Sequence, residues 1–413
     1  MAKRLSYIRL VEQHSSMSSA SRYFPPIDFK IRFPALDGIR ALAVTAVFAR
    51  HYGGGAHSGR VLNIYNELRL RGAIGVDLFF VLSGFLICGI LYDTRNDSRF
   101  FQRFFARRSV RIFPVFYLVV AVLLLLTPVL QYEWRWGQLP FLIYMGNLLA
   151  CLDPSLYRVV SANHPGAFAN LGHIWSLCVE EQFYLLWPFV VWMVRDRVRL
   201  LWIAAGLCLL ALALRGGILM FVPSHLSNEI IFYTLPCRMD AMLFGSMLAL
   251  LLRGESADRW QRSCKWIFLV TAALVITLFT LSPADDSPWL QTIGLTLIAA
   301  ASAGLIGSTL RTGSTAFRLF HLRPLRILGK YSYGFYIFHA VWPIVWGSLD
   351  KGLSMRLHSS ALGGILADVI YFALTFGVAK LSYDMFEVRF LSWKRRFEYD
   401  SELKEHKHAF MLK

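Results

Sequence analysis

The sequence lacks any cysteine pattern that would indicate a metal site or a disulfide framework. Its six cysteines form no CxxC motif and no cysteine–histidine pairing with metal spacing, and five of them fall inside apolar runs. No metal is therefore predicted, and the cysteines are expected to be small buried residues: Cys88, Cys151, Cys178, Cys208, Cys237 and Cys264.

Internal repeats, low-complexity tracts and a second soluble domain are also missing. The longest stretch outside the apolar runs is 131–170, about 40 residues. The lack of a repeat counts against a transporter built from inverted halves. Residues 1–32 carry six basic groups but no apolar core like that of a cleaved signal peptide, so we expect a short cytoplasmic tail.

The sequence does contain many long runs of apolar residues. It is 56% hydrophobic and 15% aromatic over 413 residues, with a mean hydropathy of +0.48. Several apolar runs exceed the roughly 18 residues that span a bilayer, and they are continuous rather than alternating. The chain is therefore predicted to be an all-α polytopic membrane protein. Its net charge of +17 is then expected to reflect basic cytoplasmic loops rather than a nucleic-acid partner.

Eleven apolar segments are candidate spans, and the distribution of charge reduces them to ten. The segment 139–151 has 13 residues, short for a crossing, and is predicted to be a short non-spanning helix. With both termini cytoplasmic, the inner segments then hold 30 of the 43 basic residues and the outer loops hold 7. We predict a membrane domain at 33–391 between cytoplasmic tails at 1–32 and 392–413.

The first span carries ionisable residues, which are costly inside a membrane and often mark a site. Arg40 and His51 are eleven residues apart, so they share one helix face about 16 Å apart, and Asp37 can pair with Arg40. Alternatively, Arg40 extends to the inner surface while Arg50 and His51 are merely interfacial. In the second span, Asp77 could orient a cation such as His51 or an arginine, or it could belong to a buried structural ion pair.

The loop before the third span reads "RRSVRIFP" and places three arginines at the inner face: Arg107, Arg108 and Arg111. Individually they fit ordinary cytoplasmic charge. As a cluster at a helix start they suit a phosphate-rich ligand such as a nucleotide or coenzyme A.

The fourth span, "GHIWSLCVEEQFYLLWP", places a polar stripe on one helix face: His173, Ser176, Glu180 and Tyr184. Two adjacent carboxylates, Glu180 and Glu181, would cost roughly 2.5–3.5 kcal/mol each if ionised and unpaired. We therefore favour a functional site here.

Two further spans contain polar groups. Arg238 and Asp240 are two residues apart and cannot face each other, so structural pairing with Arg215 or Glu181 is expected. In "GKYSYGFYIFHAVWP", a stripe of Ser332, Tyr336 and His339 points one way, whereas Tyr331 and Tyr333 suit an interfacial aromatic belt.

Together these motifs resemble the acyltransferase-3 family of membrane O-acyltransferases. The matching stretches run in the family's order from about Phe33 to Leu391: "LDGIRALAVTAVFARH", "GVDLFFVLSGFLI", "FFARRSVRIFP", "HIWSLCVEEQFYLLWP", "LGKYSYGFYIFH" and "SYDMFEVRF". The resemblance implies a bacterial inner-membrane enzyme that uses cytoplasmic acyl-CoA to acylate extracytoplasmic glycans. One common family variant carries a C-terminal hydrolase-like domain, whose role we expect here to be absent or supplied by a partner.

The resemblance also assigns roles. His51 matches the family's catalytic histidine, Arg40 its partner arginine, Arg108 and Arg111 its cytoplasmic pair, and Glu180 the first glutamate of its motif; Ser332, Tyr333 and His339 match the ninth-span motif. Our candidate catalytic residues are His51, Arg40, Glu180 and Asp77. The candidate acyl-CoA-binding residues are Arg107, Arg108, Arg111, Ser332, Tyr333, Tyr336 and His339. The candidate substrate-binding residues are His173, Trp175 and Glu181.

The expected mechanism is acyl transfer along a passage between the inner arginines and His51. His51 would act as a general base on a sugar hydroxyl, or form a covalent acyl-histidine. The acceptor could be lipopolysaccharide O-antigen, an exopolysaccharide, a lipid-linked oligosaccharide or another glycoside, and the group acetyl, succinyl or another short acyl. A proton-coupled transporter and an exporter of acyl groups are the alternative functions, and the oligomeric state is open.

Overall fold

The computed structural model describes residues 33–52, 66–67, 69–162, 168–282 and 287–399. Within these ranges the chain is predominantly helical, which confirms the predicted all-α polytopic class. Eight helical stretches are long and apolar enough to cross a membrane: Arg71–Thr94, Phe100–Leu130, Gly172–Val194, Arg197–Phe221, Ser224–Leu251, Ala257–Leu281, Leu290–Thr309 and Ser360–Phe397. The predicted tail 1–32 and residues 400–413 of the predicted tail 392–413 lie outside the described residues.

The helices are numbered in chain order. They are α1 (Pro34–His51), α2 (Ile74–Thr94), α3 (Phe100–Leu130), α4 (Gly146–Ala150), α5 (Trp175–Val194), α6 (Arg197–Phe221), α7 (Ser224–Tyr233), α8 (Leu235–Leu251), α9 (Ala257–Leu281), α10 (Leu295–Thr309), α11 (Thr315–Phe320), α12 (Arg323–Lys330), α13 (Ser332–Phe338), α14 (Pro343–Leu357), α15 (Ser360–Ser382) and α16 (Val388–Trp393). Short π-helical turns, Leu290–Gly294 and Tyr383–Glu387, precede α10 and α16.

Helix α3 corrects the position of the arginine cluster. The sequence placed these arginines in a loop before a span starting near residue 112, but α3 begins at Phe100 and contains all of them, with Pro114 inside the helix. A helix of 31 residues is about 46 Å long, more than the roughly 30 Å of bilayer hydrocarbon. The first turns of α3 can therefore project beyond the apolar layer, where arginine is tolerated.

The predicted ninth span, 331–348, is not one continuous helix. α13 ends at Phe338 and α14 begins at Pro343, because proline cannot continue the hydrogen-bond ladder and forces Trp342 into an extended conformation (φ −121°, ψ 76°). Tyrosine hydroxyls and the backbone N–H of a strand residue satisfy carbonyls of the break. Tyr52 and Tyr371 donate to the His339 carbonyl at 2.5 and 3.0 Å, and the Asn170 amide donates to Val341 at 3.0 Å.

The count of ten spans stays a prediction. Two predicted spans are not among the eight apolar helices: the broken segment 331–348 and α1. The 18 residues of α1 include three charged ones, Asp37, Arg40 and Arg50. The segment 139–151 forms a 3₁₀ helix, Trp136–Ile143, and the short α4, as expected of a non-spanning region. The sequence did not predict the small antiparallel sheet beside it, β1 (Tyr132–Glu133), β2 (Arg158–Ser161) and β3 (Phe168–Asn170).

Helix α2 lies at the centre of the packing, in contact with α1, α5, α8 and α10. Glycine makes the closest of these approaches possible: a Cβ on Gly84 would lie 1.8 Å from the Met242 carbonyl, and one on Gly245 1.9 Å from that of Val81. All six cysteines are buried and free, as predicted for small core residues. This close packing holds α1 and α5, which carry much of the candidate site, against one central helix.

Candidate functional site

Three histidines from distant parts of the chain meet at one point. His51 ends α1, His173 lies in the 3₁₀ turn before α5, and His339 lies in the break after α13. The ring centroids of His51 and His339 are 5.0 Å apart, and those of His173 and His339 are 5.2 Å apart. His173 and His339 are buried, whereas His51 is exposed, so only His51 offers an accessible imidazole.

A serine and a tyrosine connect this cluster to the interior. Ser176 and Tyr336 join their hydroxyls at 2.6 Å, and the Tyr336 hydroxyl also lies 2.8 Å from the His173 carbonyl. Ser176 belongs to the polar stripe of α5 and Tyr336 to that of α13, so the two predicted stripes face each other. Both side chains also line a cavity in the helix bundle.

That cavity has a volume of about 290 Å³ and is strongly basic. Its charged lining consists of one carboxylate, Glu180, and five basic side chains: Arg40, Arg107, Arg108, Arg111 and Lys394. Ser83, Ser332, Tyr333 and Tyr336 contribute hydroxyls. Basic groups in this excess, together with hydroxyls, are suited to a ligand that has several phosphates and a less charged arm.

A second cavity of about 530 Å³ adjoins the first and shares part of its wall, including Arg40, Arg111, Ser332 and Tyr333. It adds an Arg253–Asp93 ion pair with N–O distances of 2.7 and 2.6 Å, together with Lys330 and Glu387. The two cavities therefore share a basic wall made of Arg40, Arg111 and Lys394.

The arginines of α3 differ in how far they are already engaged. The Arg108 guanidinium lies 3.9 Å above the Tyr184 ring and donates to the Tyr184 hydroxyl, which in turn contacts the Ser83 hydroxyl. Arg111 is exposed in the cavity, and no described residue hydrogen-bonds or ion-pairs with it. On α1, Arg40 forms the predicted ion pair with Asp37, at 2.5 Å.

The structure brings most of the predicted residues together, with some exceptions. Six of the seven candidate donor-binding residues line the first cavity, and the seventh, His339, lies in the histidine cluster instead. Arg40 and Glu180 also line that cavity. Neither cavity is lined by His51, Asp77 or any of the three candidate substrate-binding residues: His173, Trp175 and Glu181.

Neither of the two cavities extends to His51 among the described residues, so the continuous passage expected from the sequence stays a prediction. Ser176 and Tyr336 line the first cavity, the Tyr336 hydroxyl lies 2.8 Å from the His173 carbonyl, and the rings of His173, His339 and His51 follow one another in contact. Each position was predictable from its own helix, but the contacts between them depend on the break after α13.

The family model described as an acyltransferase domain matches residues 33–383. The chain belongs to the acyltransferase-3 family. Its relatives include the peptidoglycan O-acetyltransferase OatA of Listeria monocytogenes, 29% identical over 86% of this chain and 55% of the relative, and the putative peptidoglycan O-acetyltransferase YrhL of Bacillus subtilis, 32% identical over 76% and 48%. The O-acetyltransferase OatA of Staphylococcus aureus is 28% identical over 76% and 50%. The chain spans about half the length of these relatives, and no solved structure matches it.

Two residues of the cavity wall, Lys394 and Tyr399, lie beyond the part that matches the acyltransferase-3 model. The Arg107 guanidinium lies 4.7 Å from the Tyr399 ring and donates to the Phe397 carbonyl at 3.3 Å. The segment after the last long helix therefore folds back onto α3. The basic run "KRR" at 394–396 could have suggested Lys394, but nothing in the sequence indicated the buried Tyr399.

Asp77, a candidate catalytic residue, is engaged in a structural ion pair. Its carboxylate accepts from Arg238 at 2.8 Å with both side chains buried, and Arg238 lies 5.7 Å from the Trp175 ring. Asp240 pairs with Arg215 at 2.8 Å, one of the partners that the sequence suggested. The contacts of Asp77 and Trp175 are thus those of the helix core, and neither contacts the histidines.

Breaking this pair should destabilise the fold. Arg238→Ala leaves the Asp77 carboxylate buried without its partner, which costs about 3–5 kcal/mol in the free energy of unfolding. We expect a clearly lower melting temperature in detergent, measured by fluorescence, whereas Arg356→Ala at an exposed position should not change it. Replacing both partners with apolar residues, as Asp77→Leu with Arg238→Met, should recover most of the loss. Failure to recover would indicate that the charges do more than neutralise each other.

Proposed function

We propose that the chain is a multi-pass O-acyltransferase of the bacterial inner membrane. It would transfer an acetyl group from cytoplasmic acyl-CoA to a hydroxyl of an extracytoplasmic glycan. The observation that carries the proposal is a basic cavity whose lining residue Tyr336 contacts His173, from which ring contacts through His339 lead to the exposed His51. The names of its relatives favour acetyl as the group and a cell-wall glycan as the acceptor.

The cavity fits the chemistry of the donor. Coenzyme A carries its phosphates at one end and its thioester at the other, joined by a long, weakly charged arm. The arginines of α3 and Lys394 would bind the phosphates. Ser332, Tyr333 and Ser176 offer hydrogen bonds along the arm towards the end of the cavity nearest His51.

The transfer step needs an acceptor for one proton and stabilisation of one developing charge. His51 would remove the proton from the sugar hydroxyl while the oxygen attacks the thioester carbonyl. The C–S bond then breaks, and the proton passes from His51 to the departing thiolate. An acyl-histidine formed on His51 is the other route. The hydroxyl of Tyr336, which adjoins the histidines, would stabilise negative charge on the carbonyl oxygen, whereas Arg40, about 16 Å from His51 along α1, would contact the donor further from the reacting carbon.

Purified protein in proteoliposomes tests the proposal directly. Radiolabelled acetyl-CoA is enclosed with protein oriented so that the α3 arginines face the lumen, and soluble peptidoglycan fragments are added outside. We expect label to appear on the glycan as an alkali-labile ester. Label released outside without attachment to glycan would instead favour an acyl-group exporter. Folded protein that binds acetyl-CoA but acylates neither peptidoglycan nor any other surface glycan would overturn the proposal.

Two further arms test its finer terms. Succinyl-CoA as donor tests the acyl group, since the proposal expects acetyl to be preferred. Teichoic acid, lipopolysaccharide and exopolysaccharide fragments as acceptors test the glycan class. Faster transfer to one of these than to peptidoglycan would identify that glycan as the acceptor, and the protein would still be an O-acyltransferase.

A further inference from the structure

Each of the three clustered histidines has one ring nitrogen facing a backbone carbonyl. His51 Nδ1 lies 2.9 Å from the Val47 oxygen, His339 Nδ1 2.6 Å from the Tyr336 oxygen, and His173 Nε2 3.0 Å from the Ile337 oxygen. A carbonyl oxygen can only accept a hydrogen bond, so each of these nitrogens must carry the hydrogen. A neutral imidazole has one N–H, so the remaining nitrogen of each ring holds a lone pair.

These tautomers determine which atoms face each other between His51 and His339. Because His339 carries its hydrogen on Nδ1, its Nε2 is an acceptor, and that atom lies 3.4 Å from His51 Nδ1. Two acceptors, the Val47 carbonyl and His339 Nε2, therefore converge on His51 Nδ1. No described residue donates to that nitrogen. The lone pair of His51 is consequently on Nε2.

The backbone break holds His339 in place for this contact. Its carbonyl accepts from the hydroxyls of Tyr52 and Tyr371, and its side chain is fully buried. The Val47 carbonyl belongs to the same helix as His51, so it restricts the ring only locally. His339 comes from a different element and contacts the ring from the side, which defines its orientation as well as its tautomer.

We propose that His339 is a positioning residue for His51: together with the Val47 carbonyl it holds the Nδ1–H tautomer, it orients the ring, and it leaves Nε2 as the reactive atom. This inference rests on the proposed role of His51 in acyl transfer. When His51 gains a proton on Nε2, the Nδ1–H···Nε2 contact to His339 stabilises the imidazolium, the role that a carboxylate plays in the Ser-His-Asp triad. Among the described residues no carboxylate bonds to any of the three rings. His339 is thus assigned to the base and not to the acyl-CoA site.

Two amide substitutions differ in the one property that matters. In His339→Gln the amide can reach the position of Nε2, where its oxygen accepts from His51. In His339→Asn the shorter amide takes the position of Nδ1 and can satisfy the Tyr336 carbonyl, but it does not reach His51. We expect His339→Asn to lower kcat about 10–100-fold with an unchanged dissociation constant for acetyl-CoA, and His339→Gln to retain most of the activity. Equal kcat values for His339→Asn and wild type would overturn the proposal.

The tautomer can be measured without any activity. Ring-¹⁵N histidine in protein reconstituted into bilayers gives separate solid-state NMR shifts for protonated and unprotonated nitrogens, and the His51 signals are identified by their loss in His51→Ala. We expect His51 to be protonated on Nδ1 in wild type and His339→Gln, and to become a mixture in His339→Asn. Protonation on Nε2 in wild type would refute the inference whether or not the protein transfers acyl groups. Conversely, a wild-type protein with the expected tautomer but no transferase activity would contradict only the proposed function.

Discussion

Replacing His51 with alanine is expected to lower the rate of acyl transfer by about 10²–10⁴-fold, the range that general bases contribute. Donor binding should be unchanged, because His51 does not line the basic cavity and is separated from it by buried rings. Single-turnover transfer from acetyl-CoA to glycan measures the first quantity. Equilibrium binding of labelled acetyl-CoA to the same protein in detergent measures the second.

The matched control is His225→Ala, which removes an exposed histidine near the start of α7 and should leave both quantities at wild-type values. His51→Gln adds a second test, since it keeps a polar side chain of similar length but supplies no basic nitrogen. It should be as inactive as the alanine variant. Transfer within threefold of wild type in either variant, with normal membrane levels, would remove His51 from the reaction.

The polar stripes were predictable from helical period, whereas their partners were not. The spacing of His173, Ser176 and Glu180 predicted that they share one face of the fourth span, and the spacing of Ser332, Tyr336 and His339 predicted the same for the ninth. The Ser176–Tyr336 hydrogen bond shows that these faces meet. The helical period indicates which face of a helix is polar. The contact between Ser176 and Tyr336, which are 160 positions apart, depends on tertiary packing.

The broken ninth span and the long α3 show where the prediction of spans from runs of apolar residues was wrong. Pro343 was visible in the sequence and is a recognised stop signal, yet the apolar residues on both sides of it kept the predicted span continuous. The break matters because it aligns His339 with His51. In α3 the error was the reverse: arginines were taken as the end of helical structure, although helix can continue past the hydrocarbon layer.

Removing the charge of Arg111 is expected to weaken acetyl-CoA binding about 10–100-fold. Hydrogen bonds to charged groups contribute about 1.5–3 kcal/mol, and Arg111 is exposed in the cavity with no bond to a described residue, so its guanidinium is available to a phosphate. Arg111→Gln should raise the dissociation constant, and Arg111→Lys should raise it less. Arg318→Gln, at an exposed arginine on α11, is the matched control and should change nothing.

A comparison of Arg111 with Arg108 distinguishes an arginine that binds phosphate from one that also stabilises the packing around the cavity. Arg108 already contacts the ring and hydroxyl of Tyr184, so Arg108→Gln should loosen that contact as well as weaken donor binding. We therefore expect Arg108→Gln to lower both donor affinity and melting temperature, and Arg111→Gln to lower donor affinity alone. Binding of 3′-dephospho-coenzyme A then tests which phosphate is bound. If an arginine binds the 3′-phosphate, replacing that arginine should hardly change the affinity for this analogue, which lacks the phosphate. If Arg111→Gln binds acetyl-CoA as tightly as wild type does, the basic cavity is not the donor site.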